Sequence, residues 1–233
     1  MVASNNVVSI YAHRGFWFGR FPEKSREAFA YATQQGFRSE CDVWMSADGQ
    51  PIVMHDETLD RTTTGTGPVV EYSMSQLQRF KCRIGKQEFS PPPVLSEVAD
   101  DLGLVEIKPA SVELVKTVIR TMVSRKWMLQ SFDAANIRAA EQIDPELPIA
   151  FLVEDEAGIR IGIDDGWRIH LDHALLDNRL AKILRDADLP FGAWTVNTEP
   201  DIKRVLDHGV SAIISDHPDL VRKVAQQLGF ACQ

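Results

Sequence analysis

Residues 191–215, FGAWTVNTEPDIKRVLDHGVSAIIS, contain one complete repeat of the pattern that decides the fold. Phe191 to Val196 is rich in strand-forming residues, Glu199 to Gly209 has the apolar spacing of a helix, and Ala212 to Ser215 is again strand-like. Parallel strands need a long crossover, which is usually a helix. The segment is therefore predicted to form a strand, a helix and a second strand parallel to the first.

The same alternation runs along most of the chain. The predicted strands are 7–13, 38–45, 103–107, 127–132, 149–153, 168–172, 191–196 and 212–215, and the predicted helices are 25–35, 110–124, 133–143, 156–161, 177–187, 199–209 and 219–228. Eight parallel strands in a chain of 233 residues predict a TIM (β/α)8 barrel. A doubly wound open sheet is the alternative, because it gives the same alternation. We expect one domain over residues 1–233.

The alternation is interrupted after the second strand. Pro51 to His55 is a short strand-like segment, joined to that strand through the hairpin turn signal Asp48-Gly49. Residues 56–94 then contain TTTGTGP, a short helical pattern at 75–80 and a run of three prolines. We predict that 56–94 is a small insertion that overhangs the functional site.

Composition limits the classes of function. The chain is 44% hydrophobic and carries a net charge of −8 at pH 7, whereas a nucleic-acid-binding surface needs clustered Lys and Arg. Its apolar runs are shorter than the roughly 20 residues of a transmembrane helix, so stable membrane insertion is not expected. Cys41, Cys82 and Cys232 are odd in number and lack CxxC spacing. These features predict a cytoplasmic protein with a small-molecule substrate, and they leave the oligomeric state open.

Acidic residues stand near the ends of two predicted strands. Glu40 and Asp42 lie two positions apart, so their side chains point to the same face of one strand, and Glu106 belongs to the next barrel strand. Three carboxylates without a neighbouring cysteine or an HExxH motif favour a hard, oxygen-bound cation. We therefore predict one divalent cation, Mg²⁺ or Ca²⁺, bound by Glu40, Asp42 and Glu106.

Two histidines and two basic residues accompany this acidic set. His13 and His55 lie outside it and are suited to proton transfer, because imidazole titrates near neutral pH. Arg14 and Lys108 are suited to an anionic group of the substrate. A cation, basic side chains and an acid–base pair together favour phosphoryl transfer.

Some of these residues have a second interpretation. Lys108 is also two positions from Glu106 on the same strand, where the two side chains can form a simple ion pair. Trp194, at a strand end, is predicted either to line the substrate pocket or to pack in the core, and Phe132 is predicted to be a core residue.

Seven motifs follow one another from Ala12 to Pro218: HRG, PEKSREAF, ECDVWMSADGQPIVMHDETLDRTT, VEIKP, SFD, WTVN and GVSAIISDHP. Their order resembles that of the glycerophosphodiester phosphodiesterase family. The resemblance implies a TIM barrel that hydrolyses glycerophosphodiesters to glycerol 3-phosphate and an alcohol. It assigns Glu40, Asp42 and Glu106 to a divalent metal, His13 and His55 to acid–base catalysis, and Arg14 and Lys108 to the phosphate.

The sequence departs from the family pattern at one position near the site. The family's usual PENT motif is Pro22-Glu23-Lys24-Ser25 in this chain, so a cation replaces a neutral amide. We predict that Lys24 lies at the solvated rim of the site and contacts anionic groups of the substrate.

Two other functions remain open. One is a lysophospholipase D-like activity on lysophospholipids, for which Phe16, Trp17, Phe18 and Phe21 would provide an apolar mouth. The other is a non-catalytic barrel that binds phosphodiesters, although the joint presence of both histidines and all three carboxylates argues against it.

Overall fold

Eight parallel strands close into a barrel in the computed structural model, which describes residues 7–124 and 126–233. The strands, in chain order, are β1 (Val7–Ala12), β2 (Arg38–Met45), β3 (Pro51–Val53), β4 (Arg83–Ile84), β5 (Gln87–Glu88), β6 (Leu102–Ile107), β7 (Met128–Ser131), β8 (Ile149–Val153), β9 (Arg168–Asp172), β10 (Phe191–Trp194), β11 (Ala212–Ser215) and β12 (Ala231–Cys232). The barrel order is β1-β2-β6-β7-β8-β9-β10-β11, and β1 pairs with both β2 and β11. The predicted TIM barrel is confirmed, and the open sheet is wrong.

Helices connect the barrel strands and cover their outer face. They are α1 (Arg26–Gln34), α2 (Met74–Leu77), α3 (Leu95–Val98), α4 (Val112–Thr121), α5 (Ala134–Ile143), α6 (Glu156–Asp164), α7 (Asn178–Asp186), α8 (Glu199–Asp207) and α9 (Pro218–Gln227). In several of them the side chain before the first turn accepts a hydrogen bond from a backbone N–H of that turn. Ser25, Ser111, Asp133, Asp155, Asp177 and Thr198 do so. These caps fix the residue at which each of these helices begins after its strand and loop.

Two of the helix bounds that differ from the prediction have a clear physical reason. Helix α4 begins at Val112 rather than at residue 110, because the Ser111 hydroxyl accepts the N–H of Leu114 and caps the helix there. Helix α6 continues through Gly162, where a Cβ would lie 2.9 Å from the Ile169 side chain. The glycine allows the helix to approach β9 closely and does not end it.

The segment between β3 and β6 has its own small core. Strand β3 pairs antiparallel with β2. Strands β4 and β5 form a short hairpin with each other. The helical pattern predicted at 75–80 corresponds to α2. The buried residues of this core are Ile52, Met54, Leu59, Val69 and Leu77. That residues 56–94 overhang the site stays a prediction.

The polar residues predicted from strand ends lie at the carboxyl-terminal end of the barrel, where TIM barrels carry their active sites. Trp194 is the last residue of β10, and His13 and Lys108 directly follow β1 and β6. Within residues 7–124 and 126–233, the helices all lack the length and apolar character needed to cross a bilayer.

Candidate active site

Three buried carboxylates converge inside the barrel. Asp42 on β2 is in register with Glu106 on β6, and Glu40 lies one pleat earlier on β2. One oxygen of each carboxylate lies within 4.8 Å of the other two. Cys41, between Glu40 and Asp42, points to the opposite face and is fully buried. The alternation of β2 therefore separates the acidic cluster from the apolar layer.

Two lysine ammonium groups pair with these carboxylates. Lys108 Nζ lies 2.8 Å from Asp42 Oδ1 and 2.9 Å from Glu106 Oε1. Lys24 Nζ lies 3.1 Å from Glu40 Oε2 and also pairs with Asp42 Oδ2. Asp42 is thus held between two ammonium groups, and three carboxyl groups face two lysines.

The two central carboxylates have opposite pKa shifts. Burial opposes ionisation of Asp42, but the Lys24 and Lys108 ammonium groups outweigh it and hold the Asp42 pKa well below its usual range. Burial, together with the charges of Asp42 and Glu40, raises the pKa of Glu106 well above its usual range. A buried cluster of three carboxylates offers the oxygen ligands that a hard divalent cation prefers, so Glu40, Asp42 and Glu106 could hold one.

His13 is supported by residues from the last two barrel strands. Its Nδ1 lies 2.8 Å from Asp216 Oδ1, and Asn197 Nδ2 donates to Asp216 Oδ2 at 2.7 Å. Burial opposes ionisation of Asp216, but its hydrogen bond to His13 keeps its pKa low, so it is an ionised acceptor. Nδ1 must then donate, and this leaves Nε2 as the nitrogen that accepts a proton.

His55 has a similar but more local support. Its Nδ1 lies 2.7 Å from Asp56 Oδ1, and Arg61 donates to both oxygens of Asp56. The hydrogen bonds from Arg61 lower the pKa of Asp56 to about 2. Burial lowers the pKa of His55 below its usual value, although the charge of Asp42 acts in the opposite direction. His55 Nε2 is therefore favoured as a neutral proton acceptor at pH 7.

Arg14 connects His13 to the acidic side of the site. Its Nε donates to His13 Nε2 at 3.2 Å, its Nη1 donates to Glu23 Oε1 at 2.9 Å, and its backbone N–H donates to Glu40 Oε2 at 3.0 Å. Glu23 also accepts two hydrogen bonds from Arg61. The guanidinium is thus oriented from two sides beside the histidine.

A cavity of about 200 Å³ brings most of the predicted site residues together. Its walls are formed by His13, Arg14, Glu40, Asp42, His55, Glu106, Lys108, Gln130, Phe132, Leu152, Glu154, Trp194, Thr195 and Ile214. Of the nine site residues predicted from the sequence, Lys24 is the one that lies outside this set. The cavity therefore presents histidines, cations and carboxylates to one bound molecule.

The prediction that Lys24 lies at a solvated rim is wrong. Lys24 is 3% exposed, and its ammonium is among the carboxylates. Helix α1 begins at Arg26 with Ser25 as its cap, so Lys24 belongs to the turn before the helix and points inward. The attraction of two buried carboxylates accounts for this position, because an exposed lysine would leave them with less counter-charge.

The predictions for the two aromatic residues at the cavity, Phe132 and Trp194, have different outcomes. Phe132 is 41% exposed and lines the cavity, so its prediction as a core residue is wrong. The Trp194 ring meets the Phe132 ring edge to face at 5.5 Å, and its Nε1 donates to the backbone oxygen of His170. Trp194 therefore takes the pocket position of its two predicted alternatives.

The residues that orient the histidines were not predicted from the sequence. Asp56 directly follows His55, so a His-Asp pair after a strand was a local signal. Asp216 is 203 positions from His13, and Asn197 reaches it from the loop after β10. Only closure of the barrel brings these groups together.

Comparison with known proteins identifies the family. The model of the glycerophosphoryl diester phosphodiesterase family matches residues 13–101 and 92–220. The chain belongs to this family. The match includes all nine predicted site residues, because it begins at His13 and extends beyond Trp194.

Individual members of the family are similar to this chain over nearly their whole length. A glycerophosphodiester phosphodiesterase of Bacillus subtilis (strain 168) is 28% identical over 96% of this chain and 88% of its own. A solved structure of a putative glycerophosphoryl diester phosphodiesterase from Silicibacter pomeroyi superimposes with a TM-score of 0.86 at 23% identity, covering 97% of this chain and 95% of that one. The structure of a phosphodiesterase of Oleispira antarctica was solved in complex with the product sn-glycerol-3-phosphate. It superimposes with a TM-score of 0.83 at 23% identity, covering 94% of this chain and 96% of its own.

Proposed function

We propose that this chain hydrolyses glycerophosphodiesters to glycerol 3-phosphate and an alcohol, with one divalent cation, Mg²⁺ or Ca²⁺, bound by Glu40, Asp42 and Glu106. The observation that carries the proposal is the cavity in which two histidines, each with a carboxylate at Nδ1, face these three acids. The family match supports the reaction class.

The substrate phosphate would be bound by Arg14 and Lys108, which line the cavity as cations. A bound divalent cation would supply further positive charge to the phosphate oxygens. The guanidinium of Arg14 is oriented by Glu23 and His13, so it can meet a phosphate with little loss of side-chain freedom.

The two histidines would move the protons. One takes the proton of the glycerol 2-hydroxyl as that oxygen attacks phosphorus, and the other protonates the oxygen of the leaving alcohol. This step forms a cyclic glycerophosphate, and water opens it with the two roles reversed. Because Asp216 and Asp56 hold the Nδ1 atoms of His13 and His55, each ring presents Nε2 for these transfers.

Lysophospholipids are the less favoured substrates. None of the four aromatic residues near the HRG motif lines the site cavity: Phe16 packs on Tyr31 at 5.2 Å, and Phe18 packs on His217 at 4.6 Å. Trp17 and Phe21 line a separate cavity of about 200 Å³. A small head group therefore suits the site better than an acyl chain.

We also propose that the protein is cytoplasmic. Its three cysteines are all unpaired, which suits a reducing compartment.

The test of the function combines activity with metal binding. Wild-type protein is incubated with glycerophosphocholine in Mg²⁺, Ca²⁺ or chelator, and glycerol 3-phosphate is measured. Asp42→Asn and Glu106→Gln should each abolish turnover and weaken metal binding, because each removes one negative ligand. Glu113→Gln, on the exposed face of α4, is the matched control and should behave as wild type. Full turnover by either site variant in chelator would contradict the three-carboxylate site.

A further inference from the structure

Lys24 is a buried cation inside the acidic cluster. Its side chain is 4% exposed, and its Nζ contacts the two carboxylates of β2, Glu40 and Asp42. Burial disfavours a charged ammonium, but these two carboxylates more than compensate and raise the pKa of Lys24. Its ammonium group lies directly against two of the three carboxylates of the cluster.

The backbone at Lys24 is costly for a lysine. Residue 24 has φ of 60°, in a turn closed by a hydrogen bond from Ser25 N to Pro22 O. This left-handed conformation suits Gly or Asn, and a longer side chain adopts it at a cost. The Lys24 N–H donates to the Arg14 carbonyl at 2.9 Å, which fixes the turn against the HRG loop. The residue that adopts this unfavourable backbone conformation is therefore also the one whose ammonium group reaches the carboxylate cluster.

The charges of the cluster show what this side chain changes. When all three carboxylates are ionised, as metal binding requires, Glu40, Asp42 and Glu106 supply three negative charges, and Lys108 alone would leave two of them for a divalent cation to neutralise. With Lys24 present, one uncompensated negative charge remains. Affinity for hard cations depends strongly on the number of uncompensated charged ligands.

We propose that Lys24 is an internal counter-cation of the carboxylate cluster, which lowers its affinity for a divalent metal ion and keeps it assembled when no metal is bound. The inference rests on the proposed function for the identity of the metal ligands. Lys24 is then a residue that tunes the cation site, and it does not contact the substrate.

The experiment measures metal binding without substrate. Binding of Mg²⁺ and of Ca²⁺ to wild type and to Lys24→Asn is measured by isothermal titration calorimetry after removal of metal. Asparagine is the chosen replacement because it tolerates the left-handed backbone, so a change in the variant reports the charge. We expect Lys24→Asn to bind both ions at least about tenfold more tightly, because one positive charge has been removed beside two ligands.

Thermal denaturation gives an independent readout. In chelator, Lys24→Asn should unfold at a lower temperature than wild type, because Glu40 and Asp42 lose a counter-charge. Saturating Mg²⁺ or Ca²⁺ should restore the lost thermal stability. The metal-induced rise in Tm should therefore be larger in Lys24→Asn than in wild type. If Lys24→Asn does not fold in chelator, recovery of the native far-ultraviolet circular dichroism spectrum on metal addition replaces the Tm measurement.

Lys182→Asn is the matched control. It makes the same chemical change on the exposed face of α7, where Lys182 pairs with Asp186. It should leave metal affinity unchanged, which separates local charge from net charge. Equal metal affinity in wild type and Lys24→Asn, or weaker binding by Lys24→Asn, would overturn the proposal. The binding measurement contains no substrate, so neither result bears on the proposed hydrolysis. That reaction is tested separately by the release of glycerol 3-phosphate.

Discussion

The two histidines of the cavity have the same kind of partner but very different supports. His13 is held by Asp216, which follows the last barrel strand, is 17% exposed in its side chain and is fixed by Asn197. His55 is held by its neighbour Asp56, which is 26% exposed and is fixed by Arg61, itself 49% exposed. One support belongs to the barrel, and the other belongs to the segment between β3 and β6.

The difference shows which parts of an active site depend on the fold. Asp216 is also bound through its backbone, because its N–H donates to Asn197 Oδ1, so barrel closure fixes both ends of the pair. Asp56 is fixed mainly by a solvated ion pair, and such pairs contribute little to stability and weaken with salt. We therefore expect the His13 side to be rigid and the His55 side to be adjustable.

The largest effects should come from removal of either ring. We expect His13→Ala and His55→Ala each to lower turnover by roughly 10²- to 10⁴-fold, as is typical of proton-transfer groups, with the fold and metal affinity preserved. Steady-state kinetics and calorimetry check this, and His208→Ala, at the far end of α8, is the control. A histidine variant that lost its metal as completely as Asp42→Asn would make that histidine a metal ligand.

Substitution of the supporting carboxylates should separate the two sides. In Asp216→Asn, Asn197 holds the new amide oxygen, so the amide nitrogen faces His13 Nδ1 and favours the wrong tautomer. We expect a loss of kcat of about 10²-fold or more for Asp216→Asn and of about tenfold or less for Asp56→Asn. Equal losses would show that the barrel-held and loop-held supports are equivalent.

The pKa of His55 gives a smaller and more direct measure of its support. Burial lowers this pKa below the usual value, whereas the hydrogen bond from His55 to Asp56 raises it. Asp56→Asn removes the opposing charge that stabilises the imidazolium, so the pKa should fall further. Titration of the ring Cε1–H signal by NMR checks the sign. A wild-type pKa above 6.5, or a rise in Asp56→Asn, would contradict the assigned environment.

The smallest effect is expected at Arg61. We expect Arg61→Gln to lower kcat/KM by about threefold or less at low salt, because Arg61 is half exposed and acts only indirectly, on His55 through Asp56 and on Arg14 through Glu23. The difference from wild type should disappear at high ionic strength. A large, salt-independent loss in kinetic assays would show that the ion pairs of Arg61 are as rigid as the support of His13.

Much of the fold was predictable because strands and helices alternate with clear periods, and β2, β8, β9 and β11 have the predicted bounds. His13 and Glu106 were visible because they stand at the ends of parallel strands, which meet at one end of the barrel. Glu40 and Asp42 were visible because alternate positions of β2 share a face, and His55 because it follows a short strand-like segment. Asp216 and Asn197 were not visible, because their contact with His13 depends on closure between the first and last strands. The position of Lys24 depended on a left-handed turn, which the residue type itself disfavours.

The proposed reaction cleaves the bond between phosphorus and the oxygen of the alcohol head group. Phosphorus-31 NMR of glycerophosphocholine with wild-type protein and Mg²⁺ or Ca²⁺ follows this cleavage. We predict conversion to glycerol 3-phosphate through a transient cyclic glycerophosphate, and no conversion by His13→Ala on the same timescale. Formation of phosphocholine, or an unchanged spectrum with folded, metal-loaded wild type, would contradict the account.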